Sequence, residues 1–450
     1  MAETGVQFGD YATERRRMQF PVQPVTLEEC GLDFLFLVEL LTKTLFRRGR
    51  MRLVELVSHT KLSVGILESV IAFLRKQNLC MASRASETET SISYELSEQG
   101  KERGQEFLMK NQYVGPAPVR LEDYIEQVGK QSLADMKVTG EAMRKAFRGV
   151  VVKESLLTQF GAALNSGRAI LVYGPPGSGK TYLAERLAEV FSGLVAVPYA
   201  ITVDNEVIQV YDPIVHRGVF SDQTGTPELD RRSASDPRWV ACHRPVTKTG
   251  GELTLSMLEL DFDANSRFYH APPQVKAQNG LMIMDDLGRQ RVPAIDLMNR
   301  WIVPLDRRVD FLSLHTGKKF LIPFDVIVIF SSNLTPSSLA DEAFLRRLGY
   351  KIFVGELTRE AYLEIARAAC SQLGITVNET GLDYLLQRHR LDNRPLLACN
   401  PLDILEKMRD LTTYEGKTQE LSEESIDWAW NNYFSNERLS ETKGMTHEKP

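Results

Sequence analysis

Eight consecutive residues, Gly174-Pro175-Pro176-Gly177-Ser178-Gly179-Lys180-Thr181, combine the side-chain types that can hold a chain of phosphates. Glycines let backbone N–H groups converge on phosphate oxygens, and a helix that begins there adds partial positive charge. Lys180 can reach the β- and γ-phosphates of a bound nucleotide, and the Thr181 hydroxyl is placed to hold Mg²⁺. Ala169–Tyr173 ahead of the loop reads as a continuous buried strand. Tyr182–Phe191 behind it reads as a helix, with Tyr182 at its first position beside the phosphates. A second strand, Leu281-Met282-Ile283-Met284, ends in Asp285-Asp286. There Asp285 would contact the Mg²⁺ shell through water and Asp286 would polarise an attacking water. A third strand, Asp325–Phe330, runs through Ser331-Ser332 to Asn333. Its amide can hydrogen-bond the attacking water or the γ-phosphate, and its plain alternative is a turn-forming asparagine.

Shortly after it stands Asp341-Glu342-Ala343-Phe344-Leu345-Arg346-Arg347-Leu348-Gly349-Tyr350. This order of motifs resembles the AAA+ ATPases from about Leu121 to Phe434. The resemblance implies an α/β fold, a P-loop AAA+ doubly wound parallel sheet plus a C-terminal helical lid. It also implies ATP and Mg²⁺ as ligands and a ring-shaped homo-oligomer, with a hexamer expected. In that family an arginine reaches into the neighbouring subunit's nucleotide, a role that would fall to Arg346 or Arg347. A lid helix usually brings a basic residue to the γ-phosphate; Arg394 is the nearest candidate, although Leu397 and Leu402 are apolar. Most relatives carry Glu where Asp286 stands, and the shorter side chain implies slower water activation or a bridging water.

These motifs need elements to position them. Residues 1–24 are polar and read as an arm. Residues 25–112 follow the order of a winged helix: apolar residues crowd Leu32–Phe46, Leu53, Leu56 and Val57 mark a short helix, and Ser63 can cap another. In that helix Ile66, Leu67, Val70, Ile71 and Leu74 recur at helical spacing. Leu79–Ala82 and Ile92–Leu96 then read as two strands around a polar tip, and Ser97 starts a further helix. Residues 113–120 read as a linker, 121–355 as the nucleotide-binding domain, 356–435 as the lid and 436–450 as a disordered tail. Leu121, Tyr124, Ile125 and Val128 suggest one helical face. About ninety residues separate the P-loop helix from the Asp285 strand, so roughly 200–275 reads as an insertion that includes a short helix, Leu253–Leu260. Arg308–Leu314 and Phe320–Ile322 form a β-hairpin (about 308–322), which resembles the one found in MoxR-type and chelatase-type ATPases.

Composition narrows the function classes. Lys plus Arg total 54 and Asp plus Glu 59 in 450 residues, so the chain is not a generally basic nucleic-acid coat. Five scattered cysteines argue against a disulfide scaffold and fit a reducing cytoplasm. No apolar stretch approaches the ~20 residues needed to span a bilayer, so no membrane insertion is expected. The seven histidines are dispersed, and Cys242-His243 is an isolated pair without zinc-site spacing. The expected function is an ATP hydrolase that, as a ring, remodels or assembles a protein client. Two alternatives remain: an ATP-gated DNA-binding regulator or loader, and an ATP-binding scaffold with little turnover. The winged helix carries Arg47, Arg48, Arg50 and Arg52 toward DNA, but Glu68 lies on its recognition helix and Glu87 and Glu89 on its wing.

Overall fold

The computed structural model describes residues 20–84, 92–191, 193–219 and 235–434. Most of the expected arm, the wing tip with Glu87 and Glu89, residues 220–234 of the insertion and the expected tail lie outside these residues. The N-terminal unit runs through helices Leu27–Cys30 and Phe34–Arg48, strand β1 (Met51–Arg52) and helices Leu53–Thr60 and Val64–Lys76. Strands β2 (Cys80–Arg84) and β3 (Ile92–Leu96) and helix Glu98–Lys110 complete it. The three strands pair antiparallel in the order β1-β3-β2. Ile66, Leu67, Val70, Ile71 and Leu74 are all buried, as their period requires. Ser97 caps its helix by accepting from the Gly100 N–H at 3.0 Å. Ser63 does not cap: its hydroxyl donates to the Val25 carbonyl at 3.4 Å instead.

The segment expected as a linker is packed chain. Tyr113 and Ala117 are buried, and the Tyr113 ring meets Phe268 edge-on at 5.5 Å. Gln112 N–H donates to the Ser266 carbonyl at 2.8 Å, and Asn111 Nδ2 donates to the Arg267 carbonyl at 3.0 Å. Composition suggested freedom; the apolar rings and backbone bonds that neighbour it remove that freedom.

The remaining strands are β4 (Val119–Arg120), β5 (Ile170–Tyr173), β6 (Leu194–Pro198), β7 (Ala200–Val203) and β8 (Glu206–Gln209). Next come β9 (Trp239–His243), β10 (Val246–Thr249), β11 (Asp261–Asp263), β12 (Phe268–His270) and β13 (Leu281–Met284). The last are β14 (Val309–Ser313), β15 (Lys319–Pro323), β16 (Ile327–Ser332) and β17 (Tyr350–Phe353). Five of them form a parallel sheet in the order β10-β13-β16-β5-β17, with the glycine loop between β5 and helix Lys180–Leu187. This is a doubly wound parallel α/β sheet with a glycine-rich loop at a strand–helix junction, followed by a separate helical unit. Alternate residues serve opposite faces. Ile170, Val172, Ile283 and Ile329 enter one core, and Leu171, Met282, Met284, Val328 and Phe330 the other. Both faces are covered, which is why these strands read as unbroken apolar runs.

Two expectations are corrected here. Val246–Thr249 lies within the expected insertion, yet it is the edge strand of the central sheet, paired in register with Leu281–Met284. Its alternation of Val and Thr with Lys248 lacks the apolar run of a central strand because an edge has one neighbour. The expected helix Leu253–Leu260 is only a 3-10 turn, Ser256–Leu258. The rest of the insertion joins β4 in a second sheet, β11-β12-β8-β7-β4, and pairs β9 with β6 in a ribbon. Hairpin β14–β15 forms as expected and turns Leu312, Phe320 and Ile322 into the core of that second sheet. On helix Leu121–Lys130 Tyr124 and Val128 are buried but Ile125 is exposed, because Gln127 completes the inward face.

The lid comprises helices Arg359–Leu373, Glu379–Leu391, Asn400–Glu415 and Glu423–Tyr433. A break at Gly416 (φ 66°) separates the third from the last. Tyr362, Leu385, Met408 and Trp430 centre its own core. Among the described residues no single helix is long and apolar enough to cross a membrane, and all five cysteines are unpaired.

A buried ion pair joins the N-terminal unit to the inserted ribbon. Arg238 and Asp236 side chains are 4% and 2% exposed and 2.8 Å apart. Arg238 also donates to the Pro118 carbonyl at 3.3 Å, while Asp236 N–H donates to the Pro21 carbonyl at 2.8 Å. Removing one partner strands a buried charge, a loss of about 3–5 kcal/mol. Arg238→Ala is therefore expected to lower the denaturant midpoint sharply, measured by urea titration, and Arg238→Ala/Asp236→Ala should recover part of the loss.

Candidate functional site

The loop after β5 takes a shape that only glycine allows at its key points. Gly177 and Gly179 have φ of 81° and 89°. A Cβ on Gly174 would overlap the Val354 carbonyl, and one on Gly177 would overlap Cys399 Sγ. Ser178 is 4% exposed, and its hydroxyl has no partner among the described residues. A buried polar atom left unpaired inside a glycine cradle fits a ligand rich in acceptors.

Lys180 is the first residue of the helix and only 6% exposed. Its ammonium donates to the Gly174 carbonyl (3.0 Å), the Pro175 carbonyl (2.8 Å) and Asn333 Oδ1 (2.8 Å). Burial lowers its pKa, and the nearby Asp285 and Asp286 carboxylates act in the opposite sense. Thr181 Oγ1 donates to Asp285, 2.9 Å from either carboxylate oxygen. Lys248 on the edge strand stands 3.9 Å from the same carboxylate and 2.6 Å from Glu185. Asp286 sits at φ 52°, a left-handed conformation that non-glycine residues seldom adopt. Asn333 Nδ2 donates to it at 3.2 Å. The tips of β13 and β16 are locked together by Leu287 N–H to the Ser331 carbonyl (2.8 Å) and Ser332 Oγ to the Leu287 carbonyl (2.6 Å). Lys180, Thr181, Asp285, Asp286 and Asn333 thus lie together on one cavity.

They line a cavity of about 980 Å³ between the sheet and the lid. Pro176 through Tyr182 line it too, with Tyr182 half exposed and its ring beneath the Arg186 guanidinium. Gly174 and Pro175 contribute carbonyls to Lys180 rather than wall. Among the described residues no three His, Cys, Asp or Glu side chains gather as a metal site. A hydroxyl and a carboxylate with water completing the shell suit Mg²⁺, which keeps several waters.

Arg394 is corrected. Its guanidinium lies over the Phe434 ring, 4.8 Å from the centroid, and it does not line the cavity. The lid presents Ala398, Cys399 and Leu402 there, and the Cys399 N–H donates to the Gly177 carbonyl at 3.1 Å. Arg346 and Arg347 do not line this cavity and differ from each other. Arg347 bonds Asp306 at 2.7 Å and the Ala343 carbonyl at 2.8 Å. The Arg346 side chain is 75% exposed and pairs with Glu342 one helical turn away at 3.0 Å. With Arg168 and Arg308 they line a basic recess of about 630 Å³.

Several lining residues escaped the sequence reading. Gly149-Val150-Val151-Val152-Lys153 and, from the lid, Leu357, Ile365, Ala368 and Ala369 form the apolar end. The valine run before a helix was the available signal. Arg289, three residues past Asp286, lines the acidic end.

A family model described as "Domain of unknown function (DUF8689)" matches residues 358–432, the lid helices. No curated protein matches the chain. Among solved structures, the RuvB Holliday junction branch migration motor of Thermotoga maritima is similar at 13% identity and a TM-score of 0.35, covering 67% of this chain and 73% of that one. Brucella abortus NtrX in complex with ADP is similar at 14% identity and a TM-score of 0.38, covering 73% and 58%. With scores this low, the strand order and loop geometry alone define the fold.

His389 fastens the segment that carries Arg394 and the lid contact. Its Nε2 lies 2.7 Å from the Tyr362 hydroxyl, and its backbone carbonyl accepts from Arg394 N–H at 2.8 Å. Burial holds its pKa down at about 4, against an ordinary 6.5. The folded state therefore favours the neutral ring: this stability is complete above pH 6.5 and is lost as pH falls toward 4. Denaturation midpoints measured from about pH 7 to about pH 5 should fall for the native chain, and fall less for His389→Gln.

Proposed function

We propose that the chain is a Mg-ATP hydrolase of the AAA+ type that works as a ring, with a hexamer expected, on a protein client. The observation that carries this reading is the convergence of Lys180, Thr181, Asp285, Asp286 and Asn333 from three strand tips on one cavity. The glycine cradle would hold the triphosphate, and the apolar end at Val150–Val152 and Ile365 suits a purine. Lys180 has three N–H donors and three protein acceptors, so it must exchange at least one of them to meet a phosphate. Thr181 and Asp285 would hold Mg²⁺, which when bound neutralises charge on the phosphates. Asp286 and Asn333, already hydrogen-bonded to each other, would orient the attacking water.

Arg346 is the better candidate for the neighbouring subunit's nucleotide. It is largely solvent-exposed, whereas Arg347 is engaged by Asp306 on its own chain. The recess holds Arg168, Arg308, Arg346 and Arg347, with Asp306 paired to Arg347 and Glu342 to Arg346, a surplus of positive charge suited to an anion from outside. Remodelling of a protein client, as in MoxR-type relatives, is favoured over DNA binding by the arginines of the N-terminal unit. Arg47 bonds Gln112 at 2.9 Å, Arg50 faces Glu95 at 3.6 Å and Arg52 pairs with Glu55 at 2.9 Å. Phosphate contacts would have to compete with these partners. Five reduced cysteines suit a cytoplasmic setting.

Lys180→Ala is expected to abolish ATP binding or nearly so, measured by titration of a fluorescent analogue; retained affinity would sink the assignment of the loop. Asp286→Asn should keep binding and lose turnover by at least about a hundredfold. In rings that mix Arg346→Ala with Lys180→Ala subunits, activity should partly return, while Arg347→Ala should need no rescue. ATPase activity that responds to duplex DNA, and stops responding once Arg47, Arg48, Arg50 and Arg52 become Ala, would replace the protein client with DNA.

A further inference from the structure

Three cations line the cavity: Lys153, Lys180 and Arg289. Lys153 follows directly on the valine run and so stands at the apolar end. Lys180 is committed to the loop and Asn333. Arg289 stands on the turn that follows the two aspartates, and this turn is rigidly held. The Arg289 N–H donates to the Asp286 carbonyl at 2.9 Å. Gln290 next to it receives the Gly288 N–H at 2.8 Å and donates to the Asp285 carbonyl at 3.2 Å and the Gly250 carbonyl at 3.4 Å. The backbone is therefore fixed, while the arginine side chain is exposed to the cavity. Among the described residues its guanidinium makes no hydrogen bond or ion pair. A planar, permanently charged donor fork on the wall of the cavity is the side chain best matched to phosphoryl oxygens.

The opposite wall supplies no such group. Arg394 rests on Phe434, and the lid faces the loop with Ala398, Cys399 and Leu402. We infer that Arg289 binds the terminal phosphate of ATP within its own subunit and makes the site prefer a triphosphate to a diphosphate, the role left open by the apolar lid. Its positive field already reaches the site, since it helps to lower the Lys180 pKa. This inference rests on the nucleotide assignment above.

The test uses the full chain and two probes, ADP and a non-hydrolysable ATP analogue, with affinities measured by isothermal titration in Mg²⁺. Arg289→Ala is expected to weaken the triphosphate analogue by about tenfold or more, as loss of a charged hydrogen-bond partner implies, and to leave ADP within about twofold. Arg394→Ala should leave both unchanged. Equal losses for both nucleotides, or no change in either, would overturn the role of Arg289 while leaving the site intact. A native chain that binds neither nucleotide would instead remove the assignment on which the inference stands.

Discussion

A lysine ammonium with almost no access to water must find an acceptor for each of its three hydrogens. Lys180 finds two on the glycine loop and one on Asn333, at the tip of a strand 153 residues away. That requirement ties loop conformation to strand order. The β16 tip has to lie beside β5, and the β13 tip beside β16, for Asn333 and the two aspartates to reach the same point. The parallel sheet delivers this because all its strands end on one side, where the carbonyl-terminal crevice collects their tips. The left-handed backbone at Asp286 is the local cost of turning the second carboxylate toward Asn333 rather than away from it.

The N-terminal unit and the inserted sheet share apolar packing. Ala117, Ala200, Val207 and Phe268 contribute to the core that Leu37, Leu56 and Leu67 define. The buried Arg238–Asp236 pair fastens the same junction with hydrogen bonds to Pro118 and Pro21. A charge pair so dry stabilises only with its full set of bonds, and so it fixes relative position more than it adds to stability. Displacement of hairpin β14–β15, which packs into the second sheet and runs on into β16, is thereby connected to both the N-terminal unit and the strand that carries Asn333.

The parts of the site that were legible in the sequence are those held by local rules. A glycine loop between an apolar strand and a helix, and carboxylates at a strand end, announce themselves by type and spacing. So did the helix order of the N-terminal unit, from the period of Ile66 through Leu74. Edge position hid Val246–Thr249, whose pattern is half polar because one side has no strand. The packed nature of residues 113–120 was hidden as well, since the chain that holds its approach, at Asn265 and Arg267, lies 153 and 156 residues away. Arg394 was misplaced because nothing in the sequence says that Phe434 would capture its guanidinium. Arg346 and Arg347, identical in type and adjacent, could be separated only by the position of Asp306.

The lid touches the loop through a backbone hydrogen bond, Cys399 N–H to the Gly177 carbonyl, and through apolar side chains. Neither kind of contact carries net charge. A terminal phosphate differs from its absence mainly in charge, and a neutral surface responds weakly to that difference. The residues by which the lid touches the loop, Ala398 and Cys399, therefore supply no charge that would distinguish the two ligands. Under the proposed nucleotide reading, discrimination between triphosphate and diphosphate would come from the sheet side, where Lys180, Asn333 and Arg289 line the cavity. The fit that places Cys399 against Gly177 leaves no space for even one methyl group between them, so the lid and the loop meet in contact at this point.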